Sequence, residues 1–202
     1  MREVGKDQSL GRPVRWEWTV DLTGPDTNIT NGPPALQGNA GSTFAFESTE
    51  IGGTFECRLQ GAGGFGPCSS PKSYGGLGEG AHWFEVRAID FAGNVDPTPA
   101  RWTWTNDLSP PSLTITVGPP QWTADVTAAF TFGASEPVTF ECRLDFVGQR
   151  PDFFYEPCQS TAVFGGLSEG PHALEVRVTD RVGFQAGALW RWNVKITPPQ
   201  AT

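Results

Sequence analysis

A chain of 202 residues bounds one or two domains, and its 38% apolar content suits small cores better than one large one. The 14 Lys and Arg stand against 22 acids, a net charge of −8, which excludes the basic footprint a nucleic-acid partner requires. No apolar run approaches the ~20 residues of a membrane-spanning helix, and 25 Gly with 18 Pro and no helical periodicity point to many short strands.

In chain order, the first readable element is Arg15-Trp-Glu-Trp-Thr-Val-Asp21. It returns as Arg101-Trp-Thr-Trp-Thr-Asn-Asp107 and again as Leu189-Trp-Arg-Trp-Asn-Val194, which puts Trp18, Trp104 and Trp192 at spacings of 86 and 88. The segments between occur twice. Ile51-Gly-Gly-Thr-Phe-Glu-Cys-Arg-Leu59 returns as Glu136-Pro-Val-Thr-Phe-Glu-Cys-Arg-Leu144, and Gly75-Gly-Leu-Gly-Glu-Gly-Ala-His82 as Gly165-Gly-Leu-Ser-Glu-Gly-Pro-His172. Three copies of the last strand against two of the middle predict a window on a longer array. Residues 1–21 then carry the last strand of a preceding repeat, 22–107 and 108–195 are two full repeats, and 196–202 begin a following repeat or form a tail. Within such a window the polar start at Met1 says nothing about compartment.

The predicted strands show a period of two. Thr43-Phe-Ala-Phe46 and Ala129-Phe-Thr-Phe132 put their Phe residues on one face. Phe55, Cys57 and Leu59 point inward with Glu56 and Arg58 outward. His82, Phe84, Val86 and Ala88 point inward with Glu85 and Arg87 outward, and His172, Leu174, Val176 and Val178 repeat the inward set. Roughly seven such strands per repeat predict an all-β chain of tandem immunoglobulin-like β-sandwiches. The outward Glu-x-Arg triplets either face each other on neighbouring strands, at ~0.2–1 kcal/mol per pair, or are solvated independently. Trp102 and Trp104 share a face, read first as core filling and second as a carbohydrate-stacking platform.

Four cysteines allow three pairings, and the repeat selects Cys57 with Cys68 and Cys142 with Cys158, because each copy supplies two. A zinc site would need Cys-x-x-Cys spacing, which neither repeat has. Stable bridges imply an oxidising compartment, so the expected location is extracellular or at the cell surface. Asn28-Ile-Thr30 is an acceptor triplet for N-glycosylation, with occupancy set by the host. The second cysteine loop is five residues longer than the first and carries Phe146, Phe153, Phe154 and Tyr155. These rings either fold back over their own sandwich or form a partner contact.

Two motifs mimic chemistry. Gly166-Leu-Ser168-Glu-Gly170 fits the nucleophile pattern Gly-x-Ser-x-Gly, yet a strand pattern follows it where a helix is needed, and the other copy has Gly78 at the serine position. Asp90-Phe-Ala-Gly-Asn94-Val-Asp96 offers oxygens to calcium, but the copy keeps only Asp180 and Gly183, which is what a β-turn wants. Asp21-Leu-Thr-Gly-Pro25 and Asp107-Leu-Ser-Pro-Pro111 read as short, proline-stiffened joints; calcium held there by Asp21 or Asp107 finds no denser acid cluster in the sequence. No catalytic residue, metal ligand or cofactor is assigned.

Pro25 to Pro34, Phe55-Glu-Cys-Arg-Leu59, Cys68-Ser-Ser-Pro71, Gly76 to His82, Val86 to Pro99 and Trp102-Thr-Trp104 together resemble the Ig-like repeats of large bacterial and algal surface proteins. The second repeat is a looser match, with Arg181-Val-Gly-Phe-Gln-Ala186 in place of Phe91-Ala-Gly-Asn-Val-Asp96. The resemblance implies a non-catalytic extracellular structural array in a stalk, cell-surface protein or filament, with mastigoneme-type flagellar hairs as one setting. An adhesin or glycan-binding module is the alternative. The partners it implies are neighbouring repeats of the same chain and other copies or other extracellular proteins in a filament, with no nucleic acid and no membrane insertion.

Overall fold

The structure, a computed structural model, describes residues 15–144 and 154–196, and no helix occurs among them. The first sandwich comprises β1 (Thr27–Asn31), β2 (Leu36–Gln37), β3 (Ser42–Ser48), β4 (Thr54–Leu59), β5 (Gly66–Cys68), β6 (Lys72–Tyr74), β7 (Gly80–Ile89) and β8 (Ala100–Asn106). The second comprises β9 (Leu113–Val117), β10 (Trp122–Thr123), β11 (Thr127–Ala134), β12 (Thr139–Leu144), β13 (Glu156–Cys158), β14 (Thr161–Gly165), β15 (Gly170–Thr179) and β16 (Gln185–Val194). In each, a three-stranded sheet faces a five-stranded one. The orders are β1-β3-β6 against β2-β8-β7-β4-β5, and β9-β11-β14 against β10-β16-β15-β12-β13. These are two immunoglobulin-like β-sandwiches with one topology.

The alternation of each strand explains which sheet face is inside. Phe44 and Phe46 of β3 meet Phe84 and Val86 of β7 and Trp104 of β8, all buried. The Phe44 and Phe84 rings stack at 4.2 Å, and Phe46 meets Phe55 edge-on at 4.9 Å. In the second core Leu174 replaces Phe84, and Phe130 packs edge-on against Trp192 at 5.3 Å, much as Phe44 packs, tilted, against Trp104 at 5.2 Å. Each such ring or aliphatic side chain, fully buried, contributes ~1.5–3 kcal/mol.

The Trp-x-Trp pairs of β8 and β16 fill the cores. Trp104 and Trp192 are buried. Trp102 and Trp190 lie one step further out and lock the turn after the first strand. Their indole N–H groups donate to the Pro33 and Pro119 carbonyls, both at 3.0 Å. A Cβ on Gly32 would lie 2.7 Å from the Trp102 ring, and one on Gly118 2.8 Å from Trp190, so the ring is seated where only glycine leaves room.

Among the described residues each sandwich holds eight strands rather than the roughly seven read from the sequence. The extra members are β2 and β10, two residues each, which run parallel to the ends of β8 and β16. Two residues carry no periodicity. In the first sandwich β2 also places Gln37 in a buried polar cluster. Gln37 Nε2 donates to Asn106 Oδ1 at 2.8 Å and Ser42 Oγ at 3.0 Å, and Trp104 Nε1 donates to the same Asn106 oxygen at 3.0 Å. The second sandwich has Thr123, Ala128 and Val194 at those places, and the buried Trp192 Nε1 has no hydrogen-bond partner among the protein atoms.

Candidate functional site

The bridges Cys57–Cys68 and Cys142–Cys158 form, with Cα–Cα distances of 5.8 and 5.7 Å. Each joins two adjacent strands of the five-stranded sheet, β4 to β5 and β12 to β13, and therefore pins a short outer strand that few hydrogen bonds hold.

Outside that sheet the charged triplets meet in register. Arg58 stands opposite Glu85 and Glu56 opposite Arg87, and the second sandwich pairs Arg143 with Glu175 and Glu141 with Arg177. All four are ion pairs; Arg87–Glu56 measures 2.7 Å and Arg177–Glu141 2.8 Å. Phe65 covers the first ladder, 4.6 Å from the Arg58 guanidinium and 4.3 Å from Arg87. Tyr155 covers the second at 4.8 Å from Arg143 and 4.1 Å from Arg177. Burial first, then its hydrogen bond to Glu175, hold the Tyr155 phenol above its usual range. The sequence left open whether Tyr155 folds back over its sandwich and gave Phe65 no role. A signal was available: Phe65 and Tyr155 each stand three residues before the second cysteine of their loop.

That arrangement divides the aromatic loop. Tyr155 folds back onto its own sheet, whereas Phe154 is 80% exposed beside an open depression of about 360 Å³ lined by Leu144, Pro157 and Phe164. Phe146 and Phe153 lie outside the described residues. Asn28 is exposed on β1, as is Thr30, so the glycosylation triplet is accessible on an edge strand.

The Gly-x-Ser-x-Gly segment is the turn between β14 and β15, with Leu167 buried. His172 Nε2 donates to the Ser168 carbonyl at 2.8 Å, not to its hydroxyl, and His82 does the same to Gly78. Both histidines pin a turn.

At the joint between the sandwiches the structure assembles what the sequence left scattered. Asp107 of the joint donates its backbone N–H to the Gln37 carbonyl at 2.9 Å, and the Leu108 N–H donates to a Glu79 carboxylate oxygen at 2.6 Å. Gly38 faces Val182, where a Cβ would stand 3.3 Å from the valine Cβ. The turn after β2 of one sandwich thus meets the turn after β15 of the other, and the turn before β7 holds the joint between them. Carboxylate oxygens of Asp107, Glu136 and Asp180 lie within 4.8 Å of one another there. The corresponding residues of the first sandwich and the joint before it, Asp21, Glu50 and Asp90, make a second such group.

The two triads differ in how their charge is met. Asp90 Oδ1 accepts the Asn94 backbone N–H at 2.7 Å, and Oδ2 accepts the Asn94 side-chain amide at 2.8 Å. That same amide donates to the Asp21 carbonyl at 3.0 Å, which bridges joint and turn. Desolvation opposes ionisation of Asp90, but the hydrogen bonds from Asn94, Gly93 and Ala92 outweigh it and lower its pKa. In the other triad Phe184 stands where Asn94 does. Asp180 Oδ1 accepts three backbone N–H groups, from Val182, Gly183 and Phe184 at 2.7–2.9 Å, while Oδ2 is buried with no partner. Burial, then Asp107, Asp180 and Glu79, raise the pKa of Glu136; burial, then Asp21 and Asp90, raise that of Glu50.

No family model matches this chain, and no curated protein matches it. Among solved structures it is similar to the fibronectin(III)-like modules of CbhA from Clostridium thermocellum, at 13% identity and a TM-score of 0.38, covering 84% of this chain and 94% of that one. It is also similar to dimeric latent PorU from Porphyromonas gingivalis, at 13% identity and a TM-score of 0.32, covering 84% of this chain and 20% of that one.

Proposed function

We propose that this chain is a non-catalytic, extracellular load-bearing segment of a larger surface, stalk or filament protein, in which Ig-like sandwiches are docked end to end. The observation that carries this reading is the joint. Asp107 and Leu108 bond it to the first sandwich, Gly38 of the first sandwich faces Val182 of the second, Pro110 and Pro111 stiffen it, and Pro111 is buried. Two disulfides suit an oxidising location, and no helix among the described residues is long and apolar enough to cross a membrane. Residues 15–21 form no strand here, and the exposure of Trp16 and Trp18, at 81% and 80%, supports the reading of that segment as part of a preceding sandwich, since Trp104 and Trp192, the partners of Trp18 in the repeat, are buried. Imaging of the full-length protein from its source should show a long regular fibre or stalk; a compact particle would contradict the proposal.

A second reading, an adhesin or glycan-binding module, is favoured by Phe154 alone, exposed beside an open apolar depression. Under that reading Phe154→Ala abolishes adhesion to the host surface while the melting temperature is unchanged. Unaltered adhesion removes it.

A further inference from the structure

We infer that the joint between the two sandwiches is a calcium site, built by Asp107, Glu136 and Asp180. Calcium binds hard oxygen ligands at 2.3–2.6 Å, so two oxygens on one ion stand at most about 5 Å apart. Three carboxylate oxygens mutually within 4.8 Å meet that pairwise condition. Among the described residues no Lys or Arg pairs with any of the three.

Clustering alone would leave three repelling surface acids, but Asp180 adds an independent sign. Its residue is only 8% exposed, and Oδ2 is buried with no hydrogen-bond partner. A buried carboxylate oxygen without a donor is costly. The other oxygen is saturated by three amides, so Oδ2 is the one free to meet a cation.

The first sandwich shows the same architecture with the donor supplied from within. There the Asn94 amide supplies Asp90 Oδ2 with a donor and spans to the Asp21 carbonyl. The Phe184 ring can supply none, which leaves Asp180 Oδ2 open to an external cation where Asp90 has an amide. Asp107 comes from the joint and Glu136 and Asp180 from the second sandwich, with Glu79 of the first nearby. A bound ion would therefore fasten one sandwich to the next, with backbone carbonyls and water completing the coordination. Calcium's flexible geometry suits such a site better than magnesium, which demands a tight octahedron at 2.0–2.1 Å.

The test is calorimetric titration of the chelator-treated chain with calcium chloride, followed by thermal unfolding with and without the ion. Binding of one dominant calcium is expected in the range of about 10⁻⁴–10⁻³ M usual for extracellular modules. Magnesium should bind at least about tenfold more weakly, and saturating calcium should raise the melting temperature by about 4 °C or more. Asp107→Asn and Glu136→Gln should each weaken calcium at least about tenfold. Phe184→Asn, which offers Asp180 the amide that Asn94 gives Asp90, should weaken it too. Glu50→Gln, in the other triad, should leave the dominant site unchanged. Glu136→Gln relieves repulsion, so it remains informative should Asp107→Asn fail to fold. The inference is overturned by the absence of binding up to about 10 mM calcium, or by binding that Glu136→Gln and Phe184→Asn do not move. Loss of binding on Glu50→Gln rather than Glu136→Gln would overturn it as well.

Discussion

At the scale of single residues, what sets this chain apart is the seating of its tryptophans. Gly32 and Gly118 leave no room for a methyl group against Trp102 and Trp190, so Gly32→Ala and Gly118→Ala each force the indole or the turn to move. We expect each to cost about 1–3 kcal/mol, the usual penalty of overpacking, measured as a shift of the urea midpoint. Asn106 is the second such point. Its carboxamide oxygen accepts from both Gln37 and Trp104 within a buried cluster. Asn106→Val, which copies Val194 of the other sandwich, strips two donors of their acceptor and should cost about 1–3 kcal/mol. An unchanged midpoint would show that the polar cluster contributes nothing. None of these contacts has a period, and so none was legible from one strand at a time. The glycines and Asn106 become readable only when Trp102 is placed against the turn before β2.

At the scale of strands, the bridges hold what pairing holds weakly. Strands β5 and β13 have three residues each, and Cys57–Cys68 and Cys142–Cys158 close loops with sequence separations of 11 and 16. Replacing both members of either pair by Ser should cost about 3 kcal/mol on a chain-entropy estimate. Denaturant unfolding of each double variant checks this, and a loss confined to one sandwich is expected. The strands themselves were largely legible. Period-two runs such as Thr43–Phe46 and the inward set Phe84, Val86 and Ala88 fold as their alternation predicts, because one face must be buried. The in-register meeting of Glu56 with Arg87 and Arg58 with Glu85 decided a question the sequence left open. The acid triads were not legible. Asp107, Glu136 and Asp180 are far apart in the chain, and only the meeting of a joint with two turns of the sandwich unites them.

At the scale of the whole molecule, the joint makes stability depend on pH with two opposite signs. Glu50 and Glu136 have pKa values raised above 4.5, so the fold holds their protons more tightly than the unfolded chain does. Their contribution is present below 4.5 and is lost as pH rises through the raised folded values. Asp90, lowered from 3.8, contributes above that value, and its contribution is lost as pH falls through the lower folded one. In the absence of divalent cations the chain should therefore become less stable as pH rises above 4.5, and Glu136→Gln should flatten that limb. A melting temperature that rises steadily from about pH 4.5 to 7 would contradict the sign.

Both the structural role and the ion site depend on two sandwiches held end to end by a stiff joint. Small-angle X-ray scattering of the 202-residue chain tests this most directly. Two sandwiches of about 90 residues, spaced by the ~34 Å length of a ten-residue strand, should give a radius of gyration of about 21 Å or more. The scattering should also show two resolved maxima in the pair-distance distribution. A radius near the ~17 Å of a single compact domain of this size, or a broad featureless distribution, would contradict it.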